Sequence, residues 1–203
     1  MPVEMDQEAA KFLDRDFTQC FTQMRHYDAQ LWDICKFAFT AYSALLGISV
    51  GVYQYSLDKK LDLIPAIVAM LAVGLVLGLL LFSLTIRNRV YFVLVTRYIN
   101  EHRRHFLSLH PLGFANSTRM YTNPTQPPYF NWRSSQAWLS YVLAVLNATL
   151  ACGFVFLIVP LQSRNTWAGI ALATCALAQV ASSVIYLRSR EGRSAAKAVF
   201  DHD

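Results

Sequence analysis

The sequence predicts an all-α integral membrane protein, with four transmembrane helices, an N-terminal cytoplasmic helical stem and a cytoplasmic extension of the second span. Three observations predict it. Four apolar stretches without a charged residue each reach about 20 residues, the length that a hydrocarbon core of about 30 Å requires. Only 15% of the 203 residues are charged and 55% are hydrophobic, where a soluble domain carries about 25% charged residues. Lys and Arg are also spread very unevenly around the four stretches.

The stem covers residues 1–36. "MPVEMDQEAAKFLDRDF" is acidic and polar, where a secretory signal needs a basic start and a short apolar core. Apolar residues recur at Ala10, Leu13, Phe17, Cys20, Met24, Tyr27, Leu31 and Ile34. The steps alternate between three and four, the a/d rhythm of a coiled-coil seam. The same helix carries seven acids against four bases, and an anionic cytoplasmic leaflet repels such a surface. The seam is therefore expected to pack on protein and is assigned as an oligomer seam.

Residues 37–86 form the first hairpin, with spans Phe37–Tyr55 and Leu63–Ile86. Pro65 falls in the first turn of the second span, where its missing N–H costs nothing. Residues 87–136 hold a basic cytoplasmic helix and a Pro/aromatic loop. "RNRVYFVLVTRYINEHRRHF", Arg87–Phe106, has no Gly or Pro, so the second span is expected to continue as a helix. Tyr91, Leu94, Val95, Tyr98, His102, His105 and Phe106 share a face that needs a partner, and the stem seam is the nearest one. Arg97 is expected to pair with Glu101 at i,i+4. Pro111, Gly113, Pro124, Pro127 and Pro128 exclude a long helix in the following loop. Its aromatics, Phe114, Tyr121, Tyr129, Phe130 and Trp132, are expected at the headgroups or in a docking segment. The second hairpin, 137–187, has spans Ala137–Leu161 and Thr166–Leu187, and 188–203 is a basic tail.

Fifteen of the eighteen Lys and Arg residues lie in the stem, the central segment and the tail; Lys59, Lys60 and Arg164 lie in the two hairpin loops. The positive-inside rule then places both termini and the central segment in the cytoplasm. Trp32, Trp138 and Trp167 supply an interfacial belt.

The chemistry the sequence can carry is narrow. Cys20, Cys35, Cys152 and Cys175 are widely spaced and are read as reduced packing residues. His102 and His105 stand at i,i+3, but Arg103 and Arg104 oppose a cation there and no carboxylate or cysteine supports them, so no metal is expected. No nucleophile, base and orienting group recur at a catalytic spacing, so neither enzyme activity nor a cofactor is expected. The 87–136 segment holds seven bases against one acid, Glu101. Arg89, Arg97, Arg103 and Arg104 are the candidate contacts to an anion such as a phospholipid headgroup, RNA or a nucleotide messenger. No RNA-binding signature or Gly-rich phosphate loop favours either of the last two.

The spans contain no Asp, Glu, Lys, Arg or His, which disfavours a proton-coupled pump or a charge-pairing transporter. Each carries small residues four apart: Ser43-Gly47-Gly51, Gly74-Gly78, Ser140-Ala144-Ala148-Cys152 and Ala178-Ser182. Such stripes let membrane helices approach closely. Asn147 and Gln179 lie near mid-span and either bond to each other or line a polar passage between copies.

A helical stem, a tight hairpin of spans, "RNRV" leading into "RYINEHRRHF", a "PPYFNW" loop and a second hairpin together resemble small bacterial four-span membrane proteins. The plan is similar to that of membrane effector modules found with nucleotide-signalling and antiphage systems. The resemblance covers most of the chain and assigns no site residue. It implies a multi-pass protein of the cell inner membrane that works as an oligomeric effector or pore-forming module, controlled through its basic cytoplasmic face. The other class open to it is a non-conducting anchor that recruits a soluble partner through the stem and the Pro/aromatic loop. The expected partners are the lipid bilayer, further copies of the chain, and a soluble cytoplasmic protein or an anionic ligand.

Overall fold

The computed structural model describes residues 2–109, 113 and 115–191. Its regular structure is helical, with no strand among the described residues. The order is α1 (Pro2–Lys59), α2 (Ile64–Ser108), α3 (Ser135–Ile158) and α4 (Arg164–Glu191). All four helices are long and apolar enough to cross a membrane. The tail beyond Glu191, read as basic, lies outside the described residues, as do Pro111 and Phe114 of the loop.

Local chemistry explains the helix ends. At the close of α1, Lys60 takes the left-handed conformation with φ 54°. Leu61 N–H then reaches back to the Ser56 carbonyl at 3.1 Å and Lys60 N–H to that of Leu57 at 3.4 Å, the double bond of a Schellman cap. Asp62 accepts from Ile64 N–H at 3.3 Å as α2 begins. Ser134 caps α3 by accepting from Ala137 N–H at 3.2 Å. The third span was expected to reach Leu161, but α3 stops at Ile158. Val159 is extended (φ −91°, ψ 144°) because it precedes Pro160, whose ring disfavours a helical conformation in the residue before it.

The chain divides into two compact units: unit 1 from Met1–Gln30, Asn88–Tyr129 and Arg188–Asp203, and unit 2 from Leu31–Arg87 and Phe130–Leu187. In unit 2 the core is built from Ala38 and Tyr42 of α1, Ile67 and Leu71 of α2, Leu143, Ala144, Ala148 and Leu150 of α3, and Ala168 of α4. Outside that core stand large apolar side chains such as Val73, Leu77, Leu177 and Ile185. This is an inverted distribution for a water-soluble bundle, in which such a surface would be polar.

In unit 1 the stem packs on the α2 extension. Tyr27 stacks on Tyr91 with ring centroids 5.7 Å apart, and Asn88 Nδ2 donates to the Tyr27 carbonyl at 2.7 Å. Phe17 lies 6.1 Å from the His102 ring. Leu13, Phe17, Cys20, Met24 and Tyr27 are each partly covered, whereas Ala10 is exposed; further along α1, in unit 2, Leu31 is buried and Ile34 partly covered. The seam face in unit 1 thus has a partner within the same chain.

Candidate functional site

The basic segment resolves into two groups of arginines with different surroundings. Arg89 and Arg97 are 9% and 5% exposed and hold the Pro/aromatic loop. Arg89 donates from Nε to the Tyr129 carbonyl at 3.0 Å and from Nη2 to the Pro128 carbonyl at 2.7 Å. Arg97 Nε donates to the Pro127 carbonyl at 3.0 Å. Proline has no N–H, so a Pro-Pro step offers acceptors only, and a guanidinium, which offers donors only, is its natural complement. Asn100 extends the same row, with Nδ2 donating to the carbonyls of Asn123 (3.1 Å) and Gln126 (2.7 Å).

Glu191, at the end of α4, completes this clamp. One carboxylate oxygen pairs with Arg97 Nη2, and the other accepts from Tyr129 N–H at 3.0 Å. Arg97 also lies over the Tyr129 ring, 4.6 Å from its centroid, and Tyr129 is 2% exposed. The ion pair expected between Arg97 and Glu101 is therefore replaced by one with a residue 94 positions away. The cause is burial: a partner on the same helix surface would leave the guanidinium's inward donors without acceptors, whereas the loop carbonyls and Glu191 meet them. Burial and the nearby Arg97 charge pull the Arg89 guanidinium down to about 10, with Glu191 acting in the opposite direction; at neutral pH it remains a cation.

The α2 extension thus has two packing faces, where the periodicity of its apolar residues pointed to one. The second is polar (Arg89, Arg97, Asn100) and escaped a reading built on hydrophobic spacing. One signal was available. Between Leu63 and Glu191 the chain has just two acids, Glu101 and Glu191, among many arginines, so a second acid there is a pairing candidate.

Against the stem, Tyr98 OH donates to Asp16 Oδ2 at 2.9 Å, and His102 Nε2 stands 3.4 Å from the same oxygen. The Tyr98 and His102 rings meet edge to face at 4.4 Å. Burial, followed by the Asp16 hydrogen bond and charge, pushes the Tyr98 phenol up to about 12. His102, raised by its spacing as a metal ligand, is 1% exposed and sits between Asp16 and the Tyr98 carbonyl, 3.2 Å from Nδ1. Among the described residues no group of three or more His, Cys, Asp or Glu could hold a metal ion.

The other two candidate arginines are not clamped. Arg103 is partly covered and lies over the rings of Phe17, Phe21 and Tyr121 at 6.0, 5.5 and 5.5 Å, an arrangement in which cation–π attraction holds the guanidinium. Arg104 is exposed.

In unit 2 the two amides meet. Asn147 Nδ2 donates to Gln179 Oε1 at 2.7 Å, and Gln179 Nε2 donates to the Cys175 carbonyl at 3.1 Å. Tyr42, whose part was not read from the sequence, donates its hydroxyl to Asn147 Oδ1. Asn147 is fully buried, and each of the three side chains has a hydrogen-bond partner. Gly78 makes room for it: a Cβ there would stand 2.0 Å from both Asn147 Oδ1 and Tyr42 OH. No protein-family model, no curated protein and no solved structure matches the chain.

Proposed function

We propose that the chain is a multi-pass protein of the cell inner membrane, with both termini cytoplasmic. It acts as an oligomeric effector or pore-forming module controlled through its basic cytoplasmic face. The apolar exterior of unit 2 supports insertion, because only lipid or further apolar protein offers that surface a favourable neighbour.

The observation that carries assembly is the division among the small-residue stripes. Gly74 and Gly78 are used inside unit 2, where Leu45, Leu150, Tyr42 and Asn147 occupy the space a Cβ would need. Ser140, Ala144 and Ala148 are buried as well. Ser43, Gly47 and Gly51 on α1 are exposed, with nothing within 4 Å of a Cβ built on either glycine. A helical glycine costs about 1 kcal/mol relative to alanine, and no packing among the described residues offsets that at Gly47 or Gly51. Close approach of a second copy's helix does. Because Asn147 and Gln179 are spent on each other, a conducting path in such an assembly runs between copies.

The non-conducting anchor is favoured by a separate observation: Phe12, Met120 and Tyr121 of unit 1 are exposed, as large side chains at a protein-docking surface are. Single cysteines in a chain whose four native cysteines are replaced distinguish the readings. Cysteine at Gly47 should cross-link between copies in native membranes. Cysteine at Asp58 or Gln162 should react with impermeant reagents from outside, and at Ser117 it should not. Absence of the Gly47 cross-link with the labelling pattern intact favours the anchor; the reverse labelling pattern overturns the orientation.

A further inference from the structure

Five of the arginines in the basic segment are accounted for or exposed singly, but Arg104 has a companion. Arg104 and Arg119 both line a groove of about 890 Å³ in unit 1, bounded also by Leu107, Ser108, Asn116, Ser117, Thr122 and Asn123. Among the described residues no acidic one lines it. Arg89 and Arg97 are engaged by loop carbonyls, Arg97 also by Glu191, and Arg103 is held over three rings. Arg104 and Arg119 form no ion pair among the described residues.

We propose that this groove binds a phosphate-bearing anion, with Arg104 and Arg119 gripping one phosphate or pyrophosphate group. The donors in the groove support that chemistry. Ser108 spends its hydroxyl proton on the His105 carbonyl at 2.6 Å, and Thr122 spends its own on the Arg119 carbonyl at 2.7 Å. The charged donors left to a ligand are the two guanidinium forks, beside the Ser117 hydroxyl and the Asn123 amide, and the forks match tetrahedral oxyanions in bidentate fashion. Two cations, with no carboxylate among the described lining residues, draw a phosphate group's oxygens into the groove without a competing anion beside them. The volume lies within the roughly 300–1,000 Å³ of small-molecule sites.

Arg119 is also pre-positioned. Its backbone is left-handed, φ 51°, a conformation that most non-glycine residues hold only when the surroundings enforce it. Asn116 enforces it: its carbonyl accepts from Arg119 N–H at 3.1 Å, its Nδ2 donates to the Met120 carbonyl at 3.0 Å, and Thr118 Oγ1 donates to its Oδ1 at 3.1 Å. A side chain rooted in a pinned turn loses less freedom on binding.

The assignment deepens the functional reading by naming the ligand class of the cytoplasmic face, and rests on that reading for the side of the membrane it occupies. The experiment uses the full chain in phosphatidylcholine nanodiscs, titrated in one arm with inorganic pyrophosphate and in the other with short-chain phosphatidylglycerol. Saturable binding is expected in at least one arm. Arg104→Gln and Arg119→Gln should each weaken it about tenfold or more, the loss expected for a charge-assisted hydrogen-bond pair. The double Lys variant, which keeps the charge but not the fork, should fall between wild type and the double Gln variant. Binding of pyrophosphate alone identifies a free phosphate ligand, and of phosphatidylglycerol alone a lipid headgroup; both support the groove. No binding in either arm, or binding undiminished in the double Gln variant, overturns it. Cross-linking at Gly47 is measured on the same preparations, so loss of the groove and loss of assembly are read separately.

Discussion

Replacing Gly78 by alanine is expected to destabilise unit 2 by about 2–4 kcal/mol, combining overpacking with the loss of intramembrane hydrogen bonds. The added methyl would lie 2.0 Å from both Asn147 Oδ1 and Tyr42 OH, well inside van der Waals contact. Neither atom can retreat without giving up a bond, since Tyr42 donates to Asn147 and Asn147 donates to Gln179. The four-helix core allows no compensating shift toward water, with Asn147 and Ala148 both fully buried. Thermal or denaturant unfolding in detergent measures the cost. Gly78→Ala combined with Tyr42→Phe and Asn147→Ala should lose much less than the sum of the separate losses, because the groups that clash are gone. Additive losses would show that Gly78 does not serve the polar trio.

Converting Glu191 to glutamine should release the Pro/aromatic loop. The carboxylate accepts from Arg97 with one oxygen and from Tyr129 N–H with the other; a glutamine must present its NH₂ to one of those donors. Its charge also offsets two guanidiniums that are 9% and 5% exposed. Removing one member of a buried ion pair costs roughly 3–5 kcal/mol. Glu191 is itself 44% exposed on its side chain, and screening lowers the expectation to about 2–3 kcal/mol. Limited chymotrypsin digestion reads this locally: Tyr129, 2% exposed, should become a cleavage site in the variant while unit 2 stays intact. Continued protection of Tyr129 with an unchanged melting temperature would refute the clamp.

The helices were legible because their signals are local. An uncharged apolar run specifies a helix wherever it stands, and Pro65 acts within the turn where it sits; the stop that Pro160 imposes at Ile158 was not read. The pairing of the stem with the α2 extension followed from two apolar faces of matching period, and Tyr27 against Tyr91 is one of its contacts. The arginine clamp was not legible in this way. Backbone carbonyls accept hydrogen bonds at every residue, so nothing in "PPYFNW" marks the carbonyls of Pro127, Pro128 and Tyr129 as the ones that Arg89 and Arg97 meet. A basic helix with a buried polar face reads the same as one whose cations are all in solvent. Gly78 was visible as part of a small-residue stripe, yet its neighbours there are a tyrosine hydroxyl and an amide. The stripe shows that a close approach occurs and leaves the partner open.

Copies of this chain are proposed to assemble through the open Ser43-Gly47-Gly51 face of α1. Native mass spectrometry of the full chain released from mild detergent tests this most directly. A discrete multimer is expected for the wild type, with a shift to monomer at unchanged helicity when Gly47 and Gly51 are both replaced by leucine. A monomeric wild type across the accessible concentration range, or a multimer indifferent to the two leucines, would contradict it.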